Sequence, residues 1–259
     1  VAAEDVAGVG GRFPNPSVQV IVQPVRSRGR SPVPFGYVIR DGGEAVRFYV
    51  DPDRAIADYH SDWTATHEFA HLLLPYVRSR EKWVSEGFAS YYQNVLLARR
   101  GAYDEAEVWT RLTRSFSRAD AVDNPPRLDR LHERSFRDVR MLVYWSGAAL
   151  ALSADVRLRS LGADLSLDSV LGQLADCCLP SERTWTAAEL FERLDGFAPE
   201  PVFMPLYDEF MARRGMPELR NFYRDLGIET VEGGVILSSE GRLVPAREAI
   251  MRPRPDRRN

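Results

Sequence analysis

Apolar positions along this chain follow two periods, and the change between them falls near residue 61. Before it, apolar and polar residues alternate in short runs. "SVQVIVQPV" (17–25) is rich in Val and Ile and alternates, so it predicts a strand. "FGYVIRDGGEAVRFYVDP" (35–52) reads as a hairpin, with two β-prone runs around the turn signal Asp41-Gly42-Gly43. After Ser61 the spacing becomes helical. One helix should end near Leu74, because Pro75 disfavours helical geometry in the residue before it. A second runs over about 81–100, with Gly101 placed to stop it. Further helical patterns cover 104–118, 138–160, 167–177, 187–195, 202–213 and 217–226, and Thr186 with Glu189 fits a capping box. Residues 1–17, rich in Gly, Ala and Pro, read as a loose lead-in. "GGVILSSEGRLVP" near the end suggests a short hairpin with Glu240-Gly241 near its turn, and "RPRPDRRN" a disordered basic tail. The layout is a β-rich lobe (1–60), a helical lobe (61–228) and a hairpin with tail (229–259). That segregation is α+β.

Composition narrows the classes without choosing one. With 259 residues, 44% of them hydrophobic and 10% aromatic, the chain can build a sizeable core as one large domain or two intimate lobes. Its net charge of −3 gives no argument for nucleic acid as a partner. Nearly all the basic charge is arginine, Lys82 being the one lysine, which reads as codon bias and not as a phosphate-binding face. No stretch of about 18 apolar residues is present, so no transmembrane segment is expected. Cys177 and Cys178 are adjacent and offer neither a disulfide framework nor a CxxC metal spacing, so two half-buried thiols are expected. The start at Val1 leaves open a removed signal peptide or a chosen boundary. Localisation stays open, leaning to a periplasmic or secreted protein. Oligomeric state is not legible.

One stretch, "THEFAHLLLPYVRSREKWVSEGFASYYQ" (66–93), carries chemistry. Residues four apart on a helix lie one turn above each other, so His67 and His71 can aim their imidazoles at one point. A catalytic zinc takes three protein ligands, about 2.0–2.1 Å away for imidazole nitrogen, and leaves a fourth position to water. Glu86 supplies the third if the second helix folds back on the first, and the 14 intervening residues give enough chain for that return. Glu68 is turned about 100° around the helix from His67, so it can act beside the metal instead of on it. A free carboxylate there is a general base and proton shuttle. The bland alternative is a helix with two surface histidines and an accident of spacing.

H-E-x-x-H followed by "WVSEGFASYY" resembles the gluzincin zinc metallopeptidases, in which the glutamate of a W-x-x-E-G-x-A segment is the third zinc ligand. Trp83, Glu86, Gly87 and Ala89 fall in that register. Downstream, "VYWSGAALALSADVRLRSLGADLSLDSVLGQL" (143–174) is similar to a segment of the glycyl aminopeptidase family, often fused to a PDZ domain. The similarity extends over roughly 61–228 and is to the catalytic domain only. It implies a thermolysin-like α+β fold, one Zn²⁺ and a peptide or protein substrate. It also implies an oxyanion-stabilising tyrosine three residues before the glycine at 147, here Tyr144. Departures are Ser146 where the family has lysine, a different run after the second histidine, and no G-x-M-E-N segment for a free amino terminus. Aminopeptidase specificity is therefore left open.

Other candidates are weaker. His60 and His132 read as surface or capping residues. Asp155 is either a carboxylate behind a metal ligand or an ion-pair partner of Arg159. The strand at 45–50 is placed, by analogy, to pair with an extended substrate. The expected function is zinc-dependent peptide hydrolysis, in one form as an aminopeptidase, with His67, His71 and Glu86 on the metal and Glu68 and Tyr144 catalytic. The alternative is a catalytically impaired, zinc-containing peptide-binding module.

Overall fold

The computed structural model describes residues 1–29, 31–40 and 43–253. It opens with α1 (Ala2–Gly10), where a loose lead-in is expected. Val6 and Val9 explain the difference: they share one helix face and are fully buried, α1 packing on later helices, while Gly11 in a left-handed conformation ends the helix. Gly and Ala content concealed an amphipathic turn pattern.

Three strands follow, β1 (Gln19–Pro24), β2 (Phe35–Ile39) and β3 (Ala45–Val50), in the order β1-β3-β2. β2 and β3 form the expected antiparallel hairpin, while β1 joins β3 in parallel. Asp41 and Gly42 of its turn lie outside the described residues. The strand at 45–50 is therefore central, with both edges taken, and cannot also pair with a substrate. Among the described residues the free edge on that side belongs to β2.

The helical body begins with α2 (Ile56–Ser61) and α3 (Thr64–Ala70), then α4 (Lys82–Arg99), α5 (Glu105–Asp120) and α6 (Phe136–Leu161). It continues with α7 (Leu167–Cys178), α8 (Ala187–Asp195), α9 (Phe203–Met211) and α10 (Arg220–Asp225). The capping box on α8 is formed: Glu189 N–H donates to Thr186 Oγ1 at 3.1 Å, and Thr186 N–H to Glu189 Oε2 at 2.7 Å. The arrangement is α+β, with a small sheet ahead of a mainly helical body. Among the described residues no helix is long and apolar enough to cross a membrane.

The C-terminal hairpin lies upstream of its expected position. β4 (Ile228–Val231) and β5 (Gly234–Leu237) turn at Glu232-Gly233, where Gly233 has a φ of 91°. Residues Val244–Met251 form α11 instead of a returning strand. The tail from 254 onward is outside the described residues.

α4 and α6 form the core of the body, and they touch backbone to backbone. A Cβ on Gly87 would come within 2.3 Å of Gly147, and one on Gly147 within 2.0 Å of the Trp83 carbonyl oxygen. Only glycine permits that approach. Around it pack Trp83, Phe88, Trp109, Phe116 and Phe191, all essentially inaccessible to water. The polar side of this core is tied together by hydrogen bonds and ion pairs. Asp155 accepts from Tyr91 at 2.7 Å and from the Leu167 N–H at 2.9 Å, and pairs with Arg159 at 2.9 Å. Asp168 accepts from Tyr92 at 2.8 Å and pairs with Arg99 at 2.8 Å. Of the two expected roles, Asp155 thus takes that of ion-pair partner of Arg159 and braces helices, and its oxygens are given to Tyr91, the Leu167 N–H and Arg159 and not to a histidine. At the end of α7, Cys177 and Cys178 are joined in a disulfide instead of standing as two thiols.

Candidate metal centre

Pro75 does what its backbone requires. α3 tightens into a 3-10 turn at His71–Leu73, and Leu74 is extended with φ −121° and ψ 153°. The chain then crosses to residues 185–187 before it returns. Trp185 N–H donates to the Tyr76 carbonyl at 2.8 Å, Arg78 N–H to the Trp185 carbonyl at 2.9 Å, and Ala187 N–H to Glu81 Oε2 at 2.9 Å. These bonds fix where α4 starts, and therefore which residues of α4 face α3.

Glu86 is the residue that faces it. Its Oε2 lies 3.4 Å from His67 Nε2 and 3.6 Å from His71 Nε2, and the three ligand atoms all fall within 4.8 Å of one another. Bonds of about 2.0–2.2 Å in a tetrahedron put donors about 3.3–3.6 Å apart. The donor set, two imidazole nitrogens and one carboxylate oxygen, suits a zinc-like ion. On both spacing and chemistry the residues fit a metal.

The sequence pattern did not single out Gln93. It lies on α4 seven residues, about two turns, beyond Glu86 and so on the same face. The His67 Nδ1–H donates to its Oε1 at 3.1 Å, so Nε2, which carries its proton toward Glu86 without a metal, is the nitrogen left to give its lone pair to a metal once that proton is displaced. The i, i+7 spacing was the available signal. Arg40 adds a second brace, donating to the His71 carbonyl at 2.6 Å while paired with Glu44.

Glu68 is buried beside the ligands, against β2. A Cβ on Gly36 would come within 2.8 Å of Glu68 Cγ, so the strand can lie against this side chain only with glycine at that position. Burial raises its pKa to about 7, with His67 opposing and Glu86 assisting. His71 is pushed down to about 3 by burial and by His67, and so is neutral. Burial opposes charge on His67 and Glu86 too, but their mutual hydrogen bond prevails. It raises His67 and lowers Glu86 to about 2. A neutral imidazole and an ionised carboxylate are the forms that bind metal. A divalent cation placed among them would draw the Glu68 pKa down again.

Tyr144, on α6 one turn before Gly147, faces the same point. It lines the same cleft as Glu86, and its ring lies 6.0 Å from that of His67. Burial, then the charges of Glu86 and Glu68, raise its pKa, so it stays a proton donor. Trp63 packs edge-on against His67, ring centroids 5.7 Å apart. All five sequence-selected residues line one cleft of about 890 Å³, closed on one side by Phe35–Val38 of β2 and on the other by Lys82, Ser85 and Phe136. His60 and His132 do not line it: both are exposed, at the end of α2 and in a 3-10 turn over 128–133.

The M61 glycyl aminopeptidase family model matches residues 73–145, a span that contains Glu86 and Tyr144 and begins just after His71. A search of curated proteins finds no match. An aminopeptidase N family protein from Idiomarina loihiensis superposes with a TM-score of 0.65 at 15% identity, covering 88% of this chain and 43% of its own. A two-domain M1 zinc metallopeptidase, solved as a mutant bound to L-arginine, superposes with a TM-score of 0.55 at 18% identity, covering 84% and 44%. The chain thus spans less than half the length of these solved proteins, and shares their fold.

Proposed function

We propose, from the premise of a gluzincin-like metallopeptidase fold, that this protein is a zinc-dependent peptidase. One ion would be held by His67, His71 and Glu86. The observation that carries the reading is a free, buried carboxylate, Glu68, directly beside three spaced ligand atoms. A purely structural metal site has no need of it. The substrate would lie between the β lobe (1–60) and the helical lobe (61–228).

Zn²⁺, when bound, would supply Lewis acidity and an acidified water. The chain's own residues do the rest. Glu68 accepts the proton of the attacking water and hands it to the leaving amine. Tyr144, which keeps its proton beside Glu86, donates to the scissile carbonyl oxygen as that oxygen gains charge. Gln93 keeps His67 in one tautomer, and Trp63 keeps water from its ring face. The free edge of β2, beside Glu68, offers backbone groups to an extended peptide.

The test is a zinc-supplemented digest of a diverse peptide library read by mass spectrometry, wild type beside Glu68→Gln. Cleavage by wild type alone is expected, with Glu68→Gln retaining metal and losing at least about 100-fold in turnover. Loss of single amino-terminal residues would make it an aminopeptidase, and internal cuts an endopeptidase. Indistinguishable digests would remove the catalytic reading and leave a zinc-containing binding module.

A further inference from the structure

β1 is the outer strand of the three-stranded sheet, and its sequence is a palindrome. Gln19-Val20-Ile21-Val22-Gln23 reads the same in both directions about Ile21. Its inner neighbour is β3, in a register that sets Gln19 beside Ala45 and Pro24 beside Val50. Gln19 N–H donates to the Glu44 carbonyl at 3.1 Å, and Val25 N–H to the Val50 carbonyl at 2.8 Å. Backbone groups alternate sides along a strand. The odd-numbered residues here therefore turn to β3, and Val18, Val20, Val22 and Pro24 turn outward. Among the described residues no strand pairs with that outer edge. Pro24, which has no N–H, falls in the outward set and takes no bond from the sheet.

The side chains agree with the backbone. Val20 and Val22 share the sheet face of Val46 and Phe48. Val46 and Phe48 are covered by α3 and Leu72, but α3 lies over β2 and β3, and Val20 and Val22 remain 50% and 61% exposed. Exposed edge strands ordinarily carry charge, proline or a bulge against pairing; residues 17–25 contain no charged side chain, and their one proline, Pro24, stands at the last position of the strand.

We propose that β1 is an interface for a second copy of this chain, whose own β1 adds antiparallel about a two-fold axis through Ile21. In that register Val20 stands opposite Val22 of the other copy. Both turn outward, so the pair exchanges both backbone hydrogen bonds, and the symmetry mate does the same. Val18 N–H reaches the Pro24 carbonyl, while the return bond to the Val18 carbonyl is missing because proline has no N–H, and that carbonyl, at the end of the ladder, stays with water. Ile21 faces Ile21 as a non-hydrogen-bonded pair, and the exposed valines of both copies form one strip. No charge is brought against its like. The product is one continuous sheet in the order β2-β3-β1-β1-β3-β2. A register shifted by one residue would set outward groups against inward ones, so the parity of the free edge allows only even shifts, and the palindrome selects the alignment centred on Ile21 among them. A single edge contact lies at the small end of specific interfaces, so the dimer is reversible and concentration-dependent.

Sedimentation velocity over a concentration series tests this with the whole chain. Wild type should pass from monomer to dimer. Val22→Lys, which touches no bond within the sheet, should keep the circular dichroism spectrum and weaken association by at least about tenfold. Register is read by cysteine cross-linking under mild oxidation. Ile21→Cys should form covalent dimers, since facing Cα atoms in such a pair lie about 4.5 Å apart. Gln23→Cys, whose opposite number is Gln19, should not. A chain monomeric throughout, a dimer indifferent to Val22→Lys, or equal cross-linking at both positions would overturn the proposal. Capture of an unrelated strand in place of a second copy would show as a monomer in the purified series, and so would also overturn it.

Discussion

Burial at Glu68 and at the His67–Glu86 pair serves different ends. Glu68 is desolvated without a direct cationic partner, so its carboxyl holds a proton more readily than an exposed one. Glu86, equally enclosed, is kept ionised by its hydrogen bond from His67. Under the proposed function the two glutamates would have separate tasks, one as ligand and one as proton carrier, set by neighbours and not by residue type. His67 depends on Gln93 in the same way. Gln93→Leu, which removes the acceptor at Nδ1 but keeps the volume, should weaken zinc binding about 10- to 100-fold, as measured with a competing chelator. Glu86→Ala should weaken it further, because it removes a ligand and its charge. Equal affinity in Gln93→Leu and wild type would take Gln93 out of the site. H-E-x-x-H and the glutamate at 86 were legible because chemistry restricts which residues can be there. Gln93 was not, since an amide on a helix is ordinary until its partner is seen.

Two glycines on facing helices decide how the elements meet. Gly87 follows Glu86, and Gly147 lies three residues beyond Tyr144, so the contact that brings α4 against α6 also sets ligand and phenol at one place. Gly147→Ala would drive a methyl group into the Trp83 carbonyl. It should cost about 3 kcal/mol or more, seen as a fall in Tm, and should reduce turnover in whatever fraction folds. A thermally unchanged Gly147→Ala would mean the helices are not locked at this point. Helix positions themselves were well read from periodicity, Pro75 and the Thr186 box. The errors came where local composition competes with a distant partner. α1 is Gly- and Ala-rich yet buries two valines on later helices, and "VILSSEGRLV" has strand-like residues but closes its hairpin early because Gly233 supplies the positive φ.

For the molecule as a whole, the cleft joins a three-stranded sheet to a helical body through residues that would also hold the metal. Occupying that site should therefore stabilise the fold. At zinc about a thousandfold above its Kd the gain is about 4 kcal/mol, or roughly 10 °C in Tm for a chain of this size. A chelator should reverse it, and the gain should shrink as pH falls and protons compete for the imidazoles. Scanning calorimetry with and without chelator checks both, and an unchanged Tm would mean that the site does not bind metal in the folded chain. The sequence by itself determined the class α+β, most of the helices and the identity of the candidate ligands, because periodicity and donor chemistry are local properties. Only the tertiary structure decided that β3 is central and β2 and β1 are edges, that Asp155 braces helices while Gln93 braces His67, and that α4 returns to bring Glu86 within reach of both histidines. Those outcomes depend on contacts between residues far apart in the chain, and no local pattern carries them.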